Sequence, residues 1–195
     1  MSNTFLWYAT RGAGAVSLLL LSGVVVLGIL TANRFEAPGW PRFLSAGLHR
    51  NLSLTAVGFL ALHVVTAVVD PYTNLGWVAA VVPFGSWYRT FWLGLGTIAA
   101  ELVAAIVATS LLRHAIGPRG WRAIHWLAYA AWPVAAIHGL GTGTDTGQAW
   151  MVAIDVLCGG AVLTAVATRL LKPSPDRLAG HRATFRTAVT RESTR

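Results

Sequence analysis

The chain has 195 residues, of which 55% are hydrophobic and only 11% charged, whereas about 25% of the residues of a soluble domain are charged. Together with a mean hydropathy of +0.58, this composition excludes an ordinary soluble domain and indicates a membrane protein. The net charge of +8 does not indicate a nucleic-acid partner, because the basic residues lie between apolar segments and in the C-terminal tail.

Five segments are long enough to cross a membrane, which takes about 20 mostly apolar residues. They are residues 12–32, 43–69, 91–112, 121–140 and 150–171. The first is predicted to be a permanent helix, because no A-x-A-like cleavage site follows it. Between the second and the third, an aromatic-rich segment at 75–88 is interrupted by Pro83 and Gly85. It predicts a loop or half-helix in the membrane interface.

These segments predict an all-α integral membrane bundle of about five transmembrane helices over residues 1–171. Residues 172–195 are short, polar and basic, and they are predicted to form a disordered cytoplasmic tail. Most of six tryptophans fall near segment ends, where the aromatic belts of the membrane interface are expected. The six are Trp87, Trp92, Trp121, Trp126, Trp132 and Trp150.

The positions of Lys and Arg predict the orientation of the bundle, because cytoplasmic loops are enriched in both. Thirteen of the fifteen lie around the first and third connections between segments or from residue 169 onward. The opposite side has only Arg11 and Arg89. We therefore expect the N-terminus outside and the C-terminus in the cytoplasm of a multi-pass protein of the bacterial cytoplasmic (inner) membrane, in contact with lipid.

Four of the six histidines lie inside predicted membrane segments. His49 and His63, fourteen residues apart, are in the second segment, and His125 and His138, thirteen apart, are in the fourth. The two segments run in the same direction, so each depth receives one histidine from each helix. At a rise of 1.5 Å per residue the two depths are about 20 Å apart. Ionisable groups within a bilayer indicate a functional site.

Two haems, each with two axial histidines, account for this arrangement, because each iron needs one imidazole on either face of a flat macrocycle. Fourteen residues make four turns at 3.5 residues per turn, so the first pair of histidines shares a helix face. The thirteen-residue interval fits less well, and Pro133 within it can bend the helix. The absence of a C-x-x-C-H motif predicts b-type haem.

Two other functions remain open for the same histidines: a metal-ion transporter and a non-redox membrane assembly subunit. A transporter's ligands should converge on one site with carboxylates nearby, whereas these histidines divide between two depths. The single cysteine, Cys158, excludes a cysteine-based zinc or iron–sulfur centre and is predicted to be a small buried apolar residue.

The motifs "GLHRNLSL", "ALHVV", "WRAIHWLAY" and "AAIHGLGTG" resemble the ferric reductase-like transmembrane domain family over residues 11–171. That family includes the membrane parts of ferric reductases and NADPH oxidases and the haem subunit of the bacterial methionine sulfoxide reductase. The resemblance implies haem ligation through His49, His63, His125 and His138, paired His49/His125 inside and His63/His138 outside. It also implies electron transfer across the membrane.

Two features depart from the family pattern. The usual core has six spans where five are counted here, and the chain has no G-x-G-x-x-G and no segment large enough for a flavin and nicotinamide domain. We therefore expect an oxidoreductase subunit without its own NAD(P)H/FAD domain. Its electrons would come from a cytoplasmic flavoprotein reductase or from quinol. Its acceptor at the outer face would be ferric iron or a periplasmic or extracellular redox protein.

Several further residues have two open interpretations. Arg50 and Arg122 lie close to the inner histidines and either contact the haem propionates or are ordinary positive-inside residues. Glu101 is either a proton-relay or imidazole-orienting group or a neutral carboxyl bonded inside the bundle.

Three more residues are predicted to lie at the surface. Asp155 is predicted to be an interfacial group, and His114 and His181 are predicted to face solvent. For Arg89, a propionate contact at the outer face is a further possibility.

Overall fold

The structure is a computed structural model that describes residues 3–33, 35, 41–71 and 73–171. Within these ranges it has seven α-helices and no strand. They are α1 (Asn3–Ala32), α2 (Arg42–Val69), α3 (Gly76–Val81), α4 (Thr90–Leu111), α5 (Arg113–His125), α6 (Ala128–Thr142) and α7 (Ala149–Leu171). The predicted disordered tail, which includes His181, lies outside the described residues.

Four of these helices are long and apolar enough to cross a membrane. The spans are Thr4–Ala32 in α1, Phe43–Val69 in α2, Thr90–Leu111 in α4 and Ala149–Leu171 in α7. Large aliphatic and aromatic side chains are exposed along them, as expected for surfaces that contact lipid rather than water. The prediction of an all-α membrane bundle is confirmed, and the chain is a multi-pass membrane protein.

The predicted fourth span, residues 121–140, is divided between two helices. α5 bends at Gly117, whose positive φ of 73° is easily adopted only by glycine. Pro118 follows, where its fixed φ suits the start of a new helical turn. A second break at Trp126–Leu127 separates α5 from α6. The segment is mostly apolar on both sides of this break, so its hydropathy does not show where the helix is interrupted.

The aromatic-rich segment 75–88 contains the short helix α3, which is one of the two predicted alternatives. Trp77 and Val78 are exposed, whereas Ala79 is buried. The hydroxyl of Thr97 on α4 donates a 2.8 Å hydrogen bond to the carbonyl of Ala79. Residues with positive φ flank α3 on both sides, Asn74 at 44° and Phe84 at 62°. α3 is therefore attached to α4 as a separate turn.

α1 is the central helix of the bundle, since it packs along α2 and also contacts α6 and α7. α4 packs against α6. Among the described residues, α2 and α6 have at most marginal backbone contact with each other. A gap therefore separates these two helices, and α1 and α4 pack on either side of it.

Candidate functional site

The four intramembrane histidines meet in twos across the gap between α2 and the α5–α6 segment. The ring centroids of His49 and His125 are 6.3 Å apart, and those of His63 and His138 are 6.2 Å apart. We call these the inner pair and the outer pair, after the predicted sidedness. The partners are those that the spacing predicted.

Each separation fits two imidazoles on opposite sides of one metal ion. An imidazole nitrogen lies about 2.0–2.1 Å from a bound metal and about 1.1 Å from its own ring centre, so the two centroids would be about 6.2–6.4 Å apart. One such distance also suits an ordinary edge-to-face ring contact. A pair of bis-histidine sites requires two such separations in the same gap, each between one histidine of α2 and one of the α5–α6 segment.

Three of the four rings are oriented by hydrogen bonds to backbone carbonyls of neighbouring helices. His49 Nδ1 lies 3.0 Å from the carbonyl oxygen of Val24, and His63 Nδ1 lies 2.8 Å from that of Thr10. His138 Nδ1 lies 2.8 Å from the carbonyl oxygen of Trp92. A carbonyl only accepts, so Nδ1 must carry the proton and Nε2 keeps its lone pair free for a metal.

A glycine lies beside each of these three rings, and none of the three was predicted from the sequence. A Cβ at Gly14 would lie 3.0 Å from His63 Cε1, and one at Gly28 would lie 3.3 Å from His49 Cε1. The sequence does contain a signal for them. Gly14 and Gly28 are fourteen residues apart, the same interval as the two histidines that they face on the antiparallel helix α2.

The third glycine, Gly96, lies in α4. A Cβ at this position would lie 2.5 Å from His138 Cε1. That separation is shorter than real Cβ contacts, so the ring could not occupy its present position beside any other residue type. α1 and α4 therefore supply the hydrogen-bond acceptors of these three histidines through backbone carbonyls.

His125 differs from the other three histidines. Its Nδ1 is buried and has no hydrogen-bond partner among the described residues. Its ring instead lies against that of Trp121, with centroids 5.0 Å apart and planes 31° from parallel. Trp121 is therefore in contact with a site histidine as well as near a predicted span end.

Residues 13–136 match the family model of the ferric reductase like transmembrane component. The chain belongs to the ferric reductase-like transmembrane family. The matched region contains His49, His63 and His125 and ends before His138. No curated protein and no solved structure matches the chain. Membership indicates electron transfer across a membrane, and domains of this family generally bind haem.

In this ferric reductase-like domain one indole lies between the two histidine pairs. Trp132 Nε1 donates a 2.8 Å hydrogen bond to the hydroxyl of Ser22 on α1, and that hydroxyl donates to the carbonyl of Leu18 at 2.7 Å. Trp132 lies between His125 and His138 along the chain, so it is one of the tryptophans that do not lie near a span end.

Arg50 and Arg122, the two predicted propionate contacts, lie at the surface of the bundle. Arg50 and Arg122 are both exposed, and Arg122 Nε donates to the carbonyl of Pro118 in its own helix at 3.0 Å. Near the same end of the bundle, Arg169 donates to the side-chain oxygen of Asn33 at 3.0 Å. Its guanidinium also lies 5.8 Å from the ring of Trp126, which sequence reasoning did not anticipate.

At the other end, two arginines make contacts with the end of α6 and with the connection that follows it. Arg11 forms an ion pair with Asp145 and lies over the ring of Trp7 at 3.9 Å. Arg89 donates to the carbonyl oxygens of Gly141 and Thr142. The guanidinium groups of Arg11 and Arg89 therefore join α1 and the start of α4 to the end of α6 and the residues after it.

The remaining candidates lie apart from the histidine pairs. Glu101 is exposed on α4, so its carboxyl does not lie inside the bundle. Asp155 is partly exposed on α7, His114 is exposed on α5 and Cys158 is buried. In the part of the chain that the structure describes, no three His, Cys, Asp or Glu side chains converge on a point where they could hold one metal ion.

Proposed function

We propose that the chain is a di-haem b-type membrane cytochrome. The observation that carries this proposal is the meeting of the four histidines in two pairs, with centroid separations of 6.3 and 6.2 Å. His49 and His125 would hold one haem iron, and His63 and His138 the other. Family membership, which indicates transmembrane electron transfer, supports the same function.

The protein's own groups would bind, orient and shield the two haems. His49, His63 and His138 keep Nε2 free for a metal, because Nδ1 of each is occupied by a helix carbonyl. Mostly apolar side chains line the pocket beside His63 and His138. Each bound haem supplies a one-electron redox couple, and the surrounding helices keep water away from it.

The proposed electron path runs from the cytoplasmic side to the outer face. The donor would be a flavoprotein reductase or quinol, and the acceptor would be ferric iron or a periplasmic or extracellular redox protein. Arg50 and Arg122 remain proposed propionate contacts. Both side chains are exposed, and Arg122 would exchange its bond to the carbonyl of Pro118 for one to an anionic group.

Haem content tests the proposal directly. The purified chain is expected to contain two b haems in a pyridine haemochrome assay, with a matching reduced-minus-oxidised spectrum. The double variant His63→Ala with His138→Ala should retain one haem, and so should His49→Ala with His125→Ala, because each pair holds one iron. In liposomes that enclose a reductant, the unaltered chain should reduce a ferric chelate outside, and either double variant should not.

His114→Ala is the matched control, since this histidine is exposed on α5 and should leave both haems in place. Full haem content after the loss of a whole pair would contradict the proposed ligation. No haem in the unaltered chain would instead favour a non-redox assembly subunit. Substrate movement without any redox spectrum would favour a transporter.

A further inference from the structure

The two histidine pairs are not supported equally. In the outer pair both rings are bonded to a helix carbonyl, His63 to Thr10 and His138 to Trp92. In the inner pair only His49 is bonded in this way, to Val24. The Nδ1 of His125 is buried without a partner among the described residues. The two pairs therefore differ in how many of their Nδ1 atoms have a hydrogen-bond partner: two in the outer pair and one in the inner pair.

The three bonded rings share one arrangement of acceptor and glycine. Each accepting carbonyl lies four residues before a glycine: Thr10 before Gly14, Val24 before Gly28, and Trp92 before Gly96. In an α-helix the Cα–Cβ bond tilts toward the N-terminus, so the Cβ of residue i+4 leans over the carbonyl of residue i. A ring therefore approaches that oxygen from the side most easily where this Cβ is missing.

The Cβ positions agree with this geometry. A Cβ at Gly14, Gly28 or Gly96 would lie 3.0, 3.3 or 2.5 Å from Cε1 of the bonded ring. Cε1 is the atom next to Nδ1, so the added carbon would push the ring away from its acceptor. Glycine in a helix interior costs about 1 kcal/mol relative to alanine, and its use at these three points is explained by access to the carbonyl.

A hydrogen bond from Nδ1–H makes imidazole a stronger electron donor to a metal. A stronger donor stabilises the oxidised iron and lowers its reduction potential. We infer that Gly14, Gly28 and Gly96 are positioning residues for the site histidines, and that the inner pair, with one such bond instead of two, has the higher reduction potential. This inference rests on the proposed haem ligation.

Redox titration of the full-length protein, followed by haem absorbance, tests the inference with Gly14→Ala. The titration of the unaltered chain should resolve two one-electron components. Gly14→Ala weakens the bond of His63 and should raise the potential of the lower component only. We expect about a tenfold change in its equilibrium constant for reduction, or about 59 mV for one electron.

Gly28→Ala is the reciprocal variant, because its Cβ contact with His49 is milder. It should raise the potential of the higher component and leave the lower one unchanged. Gly23→Ala is the matched control, since its Cβ would lie 2.8 Å from Leu52 and disturbs the same helix contact without touching a histidine. It should leave both potentials unchanged. If a variant loses one haem instead of shifting it, the component that disappears gives the same assignment.

Several results would overturn the inference. They are a single shared potential in the unaltered chain, a shift of the higher component by Gly14→Ala, and equal shifts in Gly14→Ala and Gly23→Ala. Loss of both haems from Gly14→Ala and Gly28→Ala alike would also contradict a role for each glycine at one histidine. In all these cases the unaltered chain still holds two haems, whereas failure of the proposed function would leave it with none.

Discussion

One indole joins α6 to α1 between the two histidine pairs. The hydroxyl of Ser22 is buried, and it both accepts from Trp132 and donates to the carbonyl of Leu18. Side-chain hydrogen bonds between membrane helices contribute modestly, because the unfolded chain in the membrane also finds partners. This bond can therefore be expected to stabilise the α1–α6 contact by a measurable but small amount.

Trp132→Phe should lower the free energy of unfolding, because it removes the Nε1–H donor and keeps most of the ring. A double-mutant cycle with Ser22→Ala should give a coupling energy of about 0.6–1.7 kcal/mol, measured by unfolding with SDS. Trp150→Phe is the matched control, since Trp150 is 49% exposed on α7, and it should show no coupling to Ser22. A coupling energy near zero for Trp132 would exclude a role for the bond in stability.

At the scale of residues, the histidines were predictable and their supports were not. An ionisable side chain in an apolar segment is conspicuous, and the intervals of fourteen and thirteen indicated the partners. The hydrogen-bond acceptors are backbone carbonyls, which every residue has, so Thr10 and Val24 carry no signal of their own. Gly14 and Gly28 did carry one, in an interval that matches the histidines of α2. The bond from Trp132 to Ser22 was not predictable either, because tryptophan in an apolar segment is more typical of membrane interfaces.

At the scale of elements, the interval of thirteen residues is accommodated by the break between α5 and α6. Thirteen residues of ideal α-helix rotate by about 1,300°, which is about 140° short of four turns. At the break, the N–H groups of Leu127, Tyr129 and Ala130 bond to carbonyls three residues earlier. Each step of this tighter geometry rotates about 20° more than an α-helical step, and so reduces the shortfall.

The sequence drew attention to Pro133 as the source of this adjustment, but the tightened turns lie before it. The length and hydropathy of the segments predicted the existence of α1, α2, α4 and α7, since each is long and mostly apolar. It could not show the break at Trp126–Leu127, because a local change in hydrogen bonding between apolar residues has no compositional signal. The bend at Gly117 had a clearer one in the Gly-Pro pair.

Pro133→Ala should therefore retain both of the proposed haems. The rotation is corrected at residues 126–130, and the substitution removes a helix-interior proline that costs about 3 kcal/mol relative to alanine. The measurement is haem content per chain, together with the midpoint of SDS-induced unfolding, which should not fall.

Insertion of one alanine after Leu127 is the matched comparison. It rotates His138 by about 100° relative to His125 and should remove the outer haem while leaving the inner one. Loss of the outer haem from Pro133→Ala would show that the proline sets the register after all.

At the scale of the whole molecule, α1 has a role that its sequence did not suggest. It was predicted only as the first span, yet it contacts α2, α6 and α7 and supplies two of the three carbonyls that hold the site histidines. Both ends of α1 are fixed by polar contacts. Arg11 pairs with Asp145 at one end, and Asn33 accepts from Arg169 at the other. Such contacts join residues more than a hundred positions apart, and no local pattern predicts them.

The ion pair of Arg11 and Asp145 is partly shielded, since the two side chains are 17% and 29% exposed. Asp145→Asn should lower the free energy of unfolding by about 1.5–3 kcal/mol, the range for hydrogen bonds to charged groups. The loss arises because a shielded guanidinium on α1 would lose its countercharge. The measurement is SDS-induced unfolding, with Asp155→Asn on α7 as the control that should change stability less.

The double variant Arg11→Gln with Asp145→Asn tests whether the uncompensated charge of Arg11 causes the loss of stability. It removes the uncompensated guanidinium, so it should be more stable than Asp145→Asn alone, even though it contains one more substitution. Because α1 carries the acceptors of His63 and His49, weakening this attachment should also lower the temperature at which haem is released. If the two substitutions instead destabilise additively and haem release is unchanged, the ion pair does not hold α1 in place, and the packing of α1 against α2 alone must do so.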